Sequence, residues 1–291
     1  MNLQDKFCDL VSSLWYNLKV LVSEVKKKMK YQIELDLIKD ITKRIYDETL
    51  EFDFVTEFKG EQDVVTTTDL FVESELIKSI KTVFPDDNFH TEEYYHETKL
   101  KNRTWIIDPI DGTSNYASGL GLFVVQIALY DQEDIVLSFI YLPVFKKTFY
   151  AIKGEGAYLN DQRYFVNDNL KPTNFMISMV GITHKNEEKI YYRRITDFSI
   201  KNKYKLRMLG SIGLELALTS EGVFDLFYTN VTNIWDLYPG VLLLKEAGAV
   251  LINEKGEDYR LNDLNLFACK NQVVKEMIKK NILIGENNGI N

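Results

Sequence analysis

Cysteine and long apolar runs are both scarce in this sequence. Its 291 residues include only two cysteines, Cys8 and Cys269, which stand too far apart to form a closely spaced metal-binding pair. This scarcity argues against a disulfide-built fold or a zinc site and is typical of a reducing cytoplasm. No apolar run approaches the ~18–20 residues that cross a membrane, and the early charged residues are atypical of a secretory signal. We therefore expect a cytoplasmic protein with no membrane segment.

Positive charge and histidine are also in short supply. Lys and Arg total 35 against 43 Asp and Glu, a net charge of −8, which argues against nucleic acid as the primary ligand. His90, His96 and His184 lack the helical spacing of a metal-binding pair, so surface or supporting roles are favoured for them. An acidic protein can still bind phosphorylated metabolites where bound cations reverse the local field.

Hydrophobic residues are plentiful at 45%, and their spacing predicts helices at the amino end. The first helix is expected over 3–29, where apolar residues recur in steps of three and four. A second is expected over 30–50 and a third over 69–84, where Pro85 stops it. The apolar stripe predicted for the second helix consists of Ile33, Leu37, Ile41 and Ile45.

The rest of the chain alternates between strand-like and helix-like stretches. Runs rich in β-branched and aromatic residues predict strands, and turn residues separate them. Strands are expected over 104–108, 122–130, 134–141, 147–152, 224–229, 249–252 and 264–268, and helices over 186–198, 211–221 and 236–247. Sheets that alternate with helices predict a layered α/β fold, with the strand order left open.

The segment 105–115, WIIDPIDGTSN, combines an apolar strand with two acids. Asp108 ends the strand and Asp111 follows a turn, so the two carboxylates can converge on a hard cation, which prefers oxygen ligands. Gly112 lets the backbone approach a ligand closely, and the N–H groups of Gly112 and Thr113 could face a phosphate. The alternative is a turn without chemistry, which leaves two acids at the end of an apolar strand unexplained.

Three further acids stand at predicted helix starts or in a loop. Asp69 ends a run of β-branched residues, and Asp236 begins a predicted helix. Glu92 lies in a loop beside a second acid. Taken singly, the two aspartates are consistent with helix capping, and the loop acids with a solvated surface.

Together these segments resemble the signature set of the inositol monophosphatase superfamily. That set consists of a Thr-Asp before a helix, a Glu-Glu pair, a Trp-x-x-Asp-Pro-x-Asp-Gly-Thr block, and a late Trp-Asp followed by Glu-Ala-Gly. The corresponding residues here are 68–69, 92–93, 105–113, 235–236 and 246–248. The resemblance implies hydrolysis of a phosphate monoester by metal-activated water, with metal ligands Glu92, Asp108, the Ile110 carbonyl, Asp111 and Asp236.

Catalytic and substrate-binding roles are also implied by the resemblance. Asp69 and Thr113 would position the attacking water, with Glu92 as a third catalytic residue. The segment 207–217 resembles the part of the family that closes the substrate pocket. The implied substrate contacts are Glu92, Ile110, Asp111, Gly112, Thr113, Gly213, Leu214, Glu215 and Asp236.

On the same resemblance, the fold is expected to be α/β (α+β), a layered αβαβα sandwich of the sugar-phosphatase type. The cofactor would be Mg²⁺, and the protein would form a homodimer that acts on a small phosphorylated metabolite. Residues 30–280 would form the catalytic domain. They would be preceded by an N-terminal helical extension, 1–29, and followed by a polar tail, 281–291.

The chain departs from the family pattern in its substrate-recognition half. Thr91 stands where Gly usually precedes the Glu-Glu pair. Thr229 stands seven residues before Asp236 (236 − 229 = 7), where inositol-preferring members carry an acid. The substrate therefore stays open between inositol monophosphate, another sugar or polyol phosphate, and a nucleotide-type phosphate such as the 2′-phosphate of NADP.

Two interpretations without enzymatic activity compete with the phosphatase. One is a metal-binding regulatory protein of the same fold that acts through a protein partner. The other is a calcium-binding module, which is disfavoured because the sequence has no twelve-residue loop with acids at alternate positions.

Overall fold

The computed structural model describes residues 30–49, 56–58, 64–97, 99–167, 174–180, 189–231 and 233–283. The helix predicted over 3–29 lies outside the described residues, as do Cys8, His184 and the tail beyond 283. None of the described helices combines the length and apolar character required for a bilayer crossing.

Two helices and a hairpin form the first part of the described chain. Helix α1 spans Gln32–Thr49, and the strands β1 (Thr56–Phe58) and β2 (Val64–Thr66) pair antiparallel. Helix α2, Thr67–Val83, follows β2 directly. Both predicted helices are therefore confirmed to within a few residues.

The apolar stripe predicted for α1 was wrong in part. Ile33 is 58% exposed, whereas Leu35 and Ile38 are fully buried, and Ile41 and Ile45 are almost so. Steps of four residues advance by about 400° around a helix, so from residue 33 to residue 45 such a stripe drifts by about 120°. The buried stripe instead mixes steps of three and four, which keeps it on one face.

A seven-stranded sheet follows, with its strands in the order β3-β4-β5-β6-β7-β8-β9. All neighbours pair antiparallel except β3 and β4, which are parallel. A short helix, α3 (Thr113–Ala117), connects β4 to β5. The strands are β3 (Asn88–Thr91), β4 (Thr104–Asp111), β5 (Val124–Asp131), β6 (Asp134–Leu142), β7 (Lys147–Ile152), β8 (Gly156–Leu159) and β9 (Gln162–Tyr164).

A five-stranded sheet forms the second half, with its strands in the order β11-β10-β12-β14-β13. Its strands are β10 (Met176–Val180), β11 (Lys205–Arg207), β12 (Leu226–Thr229), β13 (Val250–Ile252) and β14 (Leu266–Cys269). The helices are α4 (Ile190–Asn202), α5 (Ile212–Ser220), α6 (Ile234–Ala247) and α7 (Gln272–Ile278), and a π-helical turn spans Lys279–Leu283.

Three hydrophobic clusters stack these elements into five layers. The first joins α1 and α2 to one face of the seven-stranded sheet. The second places α5 and α6 between the other face of that sheet and the five-stranded sheet. The third covers the outer face of the five-stranded sheet with α4 and α7. This arrangement confirms the predicted αβαβα sandwich.

The packed part of the chain continues past residue 280, the predicted end of the catalytic domain. Ile282, in the π-helical turn, is fully buried in the third cluster. The Arg194 guanidinium donates to the Ile282 carbonyl at 2.8 Å, which ties this turn to α4. The fold therefore includes the chain to at least Leu283.

Candidate active site

Strand β4 contains a bulge that turns two acids to the same face. Asp108 pairs with Gln126 of β5 and Asp111 pairs with Val124, so three steps along β4 match two along β5. In a regular strand, side chains three positions apart point to opposite faces. Pro109 lies inside the bulge, where a missing N–H interrupts the ladder at little cost. Because of the bulge, both carboxylates face α5 and α6.

A third aspartate reaches the same place from helix α6. Asp236 lies in the first turn of α6, where the helix dipole favours a carboxylate, and the Asn233 amide donates to it at 3.3 Å. Carboxylate oxygens of Asp108, Asp111 and Asp236 lie within 4.8 Å of one another. These three residues, called the acid cluster below, form a candidate metal site.

The acid cluster brings three carboxylates together at a largely buried position, where Asp108 and Asp111 are buried and Asp236 is half-buried. Burial raises the pKa of Asp108 well above its usual range, and the charges of Glu92, Asp111 and Asp236 raise it further. Burial also raises the pKa of Asp111 to about 6 and that of Asp236 to about 8. None of the ion pairs between described residues includes the cluster. Oxygen ligands at this spacing fit a hard divalent cation.

Asp111 also ties the acid cluster to helix α5. Its carboxylate accepts hydrogen bonds from the Ser211 hydroxyl at 2.7 Å and from the Ile212 and Gly213 N–H groups at 3.0 and 2.6 Å. These bonds oppose the rise in the pKa of Asp111. A Cβ on Gly213 would lie 2.7 Å from the Gln126 Oε1, so a glycine is needed for α5 to approach β5.

Asp69 and Thr113 form a hydrogen-bonded pair beside β4. The Thr113 Oγ1 lies 3.2 Å from the Asp69 Oδ1 and 3.0 Å from the Ile110 carbonyl oxygen, and its single proton can serve either acceptor. The other Asp69 oxygen accepts from the N–H of Thr66 at 2.8 Å and from its hydroxyl. Asp69 is fully buried, and burial raises its pKa. The predicted catalytic pair is thus in contact.

Gly112 makes the turn from β4 into α3. Its φ of +96° lies in the left-handed region, which residues with a Cβ rarely adopt. A Cβ there would also lie 3.0 Å from the Ser211 Cβ and 3.1 Å from the Leu122 carbonyl oxygen. Gly112 therefore lets the first N–H groups of α3 and the start of α5 lie close together.

Glu92 lies next to the acid cluster. Its N–H donates to the Ile107 carbonyl at 3.2 Å, which extends the parallel pairing of β3 with β4 by one residue. Its charge is the largest electrostatic contribution to the raised pKa of Asp108. The oxygens that lie within 4.8 Å of one another belong to the three aspartates, so Glu92 stands at the border of the cluster.

Two of the residues predicted to contact substrate are buried inside the protein. Leu214 is 2% exposed and packs in the cluster between the sheets. Glu215 is fully buried, and its carboxylate accepts from the Ser178 hydroxyl and from the Leu209 and Gly210 N–H groups. Their substrate contacts stay predictions, as does that of Gly213.

Sequence reasoning missed two residues that support the acid cluster. The Gln126 Nε2 lies 3.4 Å from the Asp108 Oδ2, and the Ser211 hydroxyl donates to Asp111. Gln126 is a polar residue in the middle of an apolar strand, which was an available signal. Ser211 is the first residue of the helix predicted over 211–221, and the structure makes it the N-cap of α5, a position where serine is common.

The metal-free protein should lose stability as pH rises from 6 to 8. The folded-state pKa values of Asp111, Asp236 and Glu215 are about 6, 8 and 7, all above the unfolded values. The folded state therefore binds more protons in this window, and its free energy of unfolding falls as the pH rises. Asp134 and Asp161 have lowered pKa values, so their contribution to the free energy of unfolding is already complete below pH 6 and stays constant from pH 6 to 8.

The expected loss is about 3–4 kcal/mol, most of it from Asp236 and Glu215, which lowers Tm by several degrees. Thermal melts in chelator at pH 6 and 8 measure it. Added divalent cation should remove most of the difference at pH 8. An equal or higher Tm at pH 8 in chelator would contradict the assignment of mutually repelling acids.

Comparisons with known proteins agree with this geometry. The sequence model of the inositol monophosphatase family matches residues 27–283. A fructose-1,6-bisphosphatase/inositol-1-monophosphatase of Thermotoga maritima is 30% identical over 78% of this chain and 86% of its own. The Nus factor SuhB of Haemophilus influenzae is 31% identical over 76% of this chain and 84% of its own.

A solved structure of an inositol monophosphatase has the same fold. A solved inositol monophosphatase structure from Thermotoga maritima superimposes with a TM-score of 0.73 at 26% identity, and the match covers 87% of this chain and 97% of that one. The family match spans both sheets and every residue of the acid cluster. The chain therefore belongs to the inositol monophosphatase family and is a phosphatase.

Proposed function

We propose that this chain is a Mg²⁺-dependent phosphatase that hydrolyses a small phosphate monoester with water. The observation that carries the proposal is the contact between the Asp69–Thr113 pair and β4, the strand that bears two of the three acids of the cluster. Thr113 Oγ1 lies 3.0 Å from the carbonyl of Ile110, the residue before Asp111. A group that can hold and deprotonate water thus lies beside a group that can hold a cation.

Each part of the site has a distinct task in this proposal. The acid cluster, Glu92 and the Ile110 carbonyl would hold Mg²⁺, which when bound offsets the negative charge of the phosphate and promotes deprotonation of water. Asp69 orients the attacking water through the Thr113 hydroxyl and accepts its proton. The N–H groups of Gly112 and Thr113, at the start of α3, donate to phosphate oxygens. The water oxygen bonds to phosphorus as the P–O ester bond breaks, the departing ester oxygen takes up a proton from solvent water to leave as an alcohol, and Asp69 later returns its proton to solvent.

Phosphate release from a panel of monophosphates tests this function. Release should require Mg²⁺, stop in chelator and return when Mg²⁺ is restored. Ca²⁺ should bind and support little turnover, because its longer and looser coordination misplaces the water. Turnover that continues at full rate in chelator, or equally fast with Ca²⁺, would contradict the proposal.

The substrate-recognition side of the site offers no acid at position 229. Thr229 is fully buried at the end of β12, and its hydroxyl accepts from the Val231 N–H at 3.2 Å. It therefore presents no carboxylate to the hydroxyl groups of a polyol. Hydrogen bonds to a charged acceptor contribute about 1.5–3 kcal/mol, so their absence weakens polyol recognition by roughly tenfold or more.

We accordingly predict that inositol monophosphate is a middling substrate. In the same panel, at least one other sugar, polyol or nucleotide-type monophosphate should match or exceed its kcat/KM. The Thr229→Glu variant is the matched test of the cause, because it introduces the acid. A preference of more than tenfold for inositol monophosphate over every other compound would refute this prediction.

A second candidate function is a regulatory protein of the same fold. The relative from Haemophilus influenzae carries the name Nus factor, which gives this alternative its support. Cation binding by the acid cluster without turnover of any monophosphate in the panel would favour it. A homodimer and a cytoplasmic location stay predictions in either case, and sedimentation analysis tests the former.

A further inference from the structure

A buried acid that the proposed chemistry does not use lies one helical turn after Asp69. Glu73 has 0% of its surface accessible to solvent, although it carries a carboxylate. Residues four apart on a helix lie on the same face, so Asp69 and Glu73 both point from α2 toward the site. None of the ion pairs between described residues involves Glu73. Such a group is costly to bury unless hydrogen bonds satisfy it.

Its hydrogen bonds all go to the segment that contains Glu92. One Glu73 oxygen accepts from the Thr91 hydroxyl and from the Tyr94 N–H at 2.9 Å, and the other accepts from the Glu93 N–H at 2.9 Å. These donors stand on both sides of Glu92 in the chain. Hydrogen bonds to an ionised carboxylate are among the stronger ones in proteins.

The segment needs this support because it has no regular structure of its own. Strand β3 ends at Thr91, and residues 92–94 form a bend. On one side the Glu92 N–H bonds to Ile107 of β4 at 3.2 Å. On the other side the bend is held by Glu73. The backbone of Glu92 is thereby fixed between a strand and a helix, beside Asp108.

We infer that Glu73 is a positioning residue that fixes the segment 91–94 and so orients Glu92 toward the cation that the acid cluster would hold. The inference rests on the proposed function, since it takes Glu92 to be a ligand. Residues that orient metal ligands typically change metal affinity by about 10–100-fold when they are replaced. Glu73 does this without touching the metal site itself.

The experiment is a double-mutant cycle on Mg²⁺ affinity, measured by calorimetry without substrate. The four proteins are the parent, Glu73→Gln, Glu92→Gln and the double variant. A glutamine at 73 turns an NH₂ group toward one of the donors, which displaces the bend. We expect Glu73→Gln to weaken Mg²⁺ binding by about tenfold or more, and to add nothing once Glu92 is neutralised.

Glu215 provides a matched control because its contacts are of the same kind. It too is fully buried and accepts from one hydroxyl and two backbone N–H groups, but these belong to Ser178, Leu209 and Gly210. The fold-loss of Mg²⁺ affinity in Glu215→Gln should therefore multiply with the fold-loss in Glu92→Gln, which means that the two changes in binding free energy add. If the free-energy changes of Glu73→Gln and Glu92→Gln add in the same way, Glu73 has a merely structural role and the inference is overturned.

Two further outcomes separate the inference from the proposed function. If Glu92→Gln leaves Mg²⁺ affinity unchanged, the proposed ligand set is wrong. If Glu92→Gln weakens binding while Glu73→Gln binds like the parent, the inference alone is wrong. If circular dichroism shows that Glu73→Gln does not fold, Thr91→Val replaces it in the double-mutant cycle. This variant removes one of the three hydrogen-bond donors to Glu73 and keeps the shape of the side chain.

Discussion

Asp108→Asn is expected to reduce kcat/KM by ~10³-fold at saturating Mg²⁺, with the fold retained. Asp108 is the most buried member of the acid cluster and has the charges of Glu92, Asp111 and Asp236 around it. Removal of one negative charge weakens cation binding, and a cation contributes several kcal/mol to stabilisation of the transition state for phosphate hydrolysis. Phosphate release over a range of substrate concentrations at saturating Mg²⁺ measures the effect.

The same variant should be at least as stable as the parent in chelator. Asparagine resembles the protonated acid, which the crowded cluster favours without a cation. Gln126 can adapt as well, because its buried Oε1 has no hydrogen-bond partner and can accept from the introduced asparagine amide after a half-turn of its own amide. A lower Tm in chelator would indicate a structural role for Asp108, and turnover like that of the parent would refute the metal assignment.

The sequence predicted the acids of the site but not the way in which they meet. Asp108 and Asp111 are three residues apart, a spacing that in a regular strand places side chains on opposite faces. The bulge that corrects this is visible only in the pairing of β4 with β5. Proline at position 109 was its local signal, yet proline also fits an ordinary turn, so the sequence could not decide between them.

Helices were predicted better than the short strands at the sheet edges. The periodicity of α1, α2, α5 and α6 is a local property, and all four lie within a few residues of their predicted bounds. Strands β9 and β11 have three residues each, too few to show an alternating pattern. Strand order depends on contacts between distant residues, such as β12 with β14, which no local pattern encodes.

Glu73 shows which part of the site could not be predicted from the sequence. In the sequence it is one of several acids on a helix, a place where a solvated side chain is the usual outcome. Its function depends on three donors from the segment 91–94, which folding brings to α2. Asp69, four residues earlier, was found because it belongs to a recognisable segment rather than because its burial could be foreseen.

The second large effect is expected at Asp69. Asp69→Asn should reduce kcat by about 10²–10³-fold, because the amide cannot accept the proton that a general base removes from water. The effect on Mg²⁺ affinity should be small, since Asp69 is not one of the residues whose oxygens form the acid cluster. Steady-state rates together with calorimetry of Mg²⁺ binding separate the two quantities.

Thr113 variants test whether Asp69 acts through the threonine hydroxyl, which lies 3.2 Å from it. Thr113→Ser retains the hydroxyl and should keep most of the activity, whereas Thr113→Val should lose about as much as Asp69→Asn. Residues that act as one unit give losses that do not multiply, so the double variant should be no slower than either single one. Multiplying losses would show that the two act independently, and an Asp69→Asn protein with the parent's kcat would exclude Asp69 as the base.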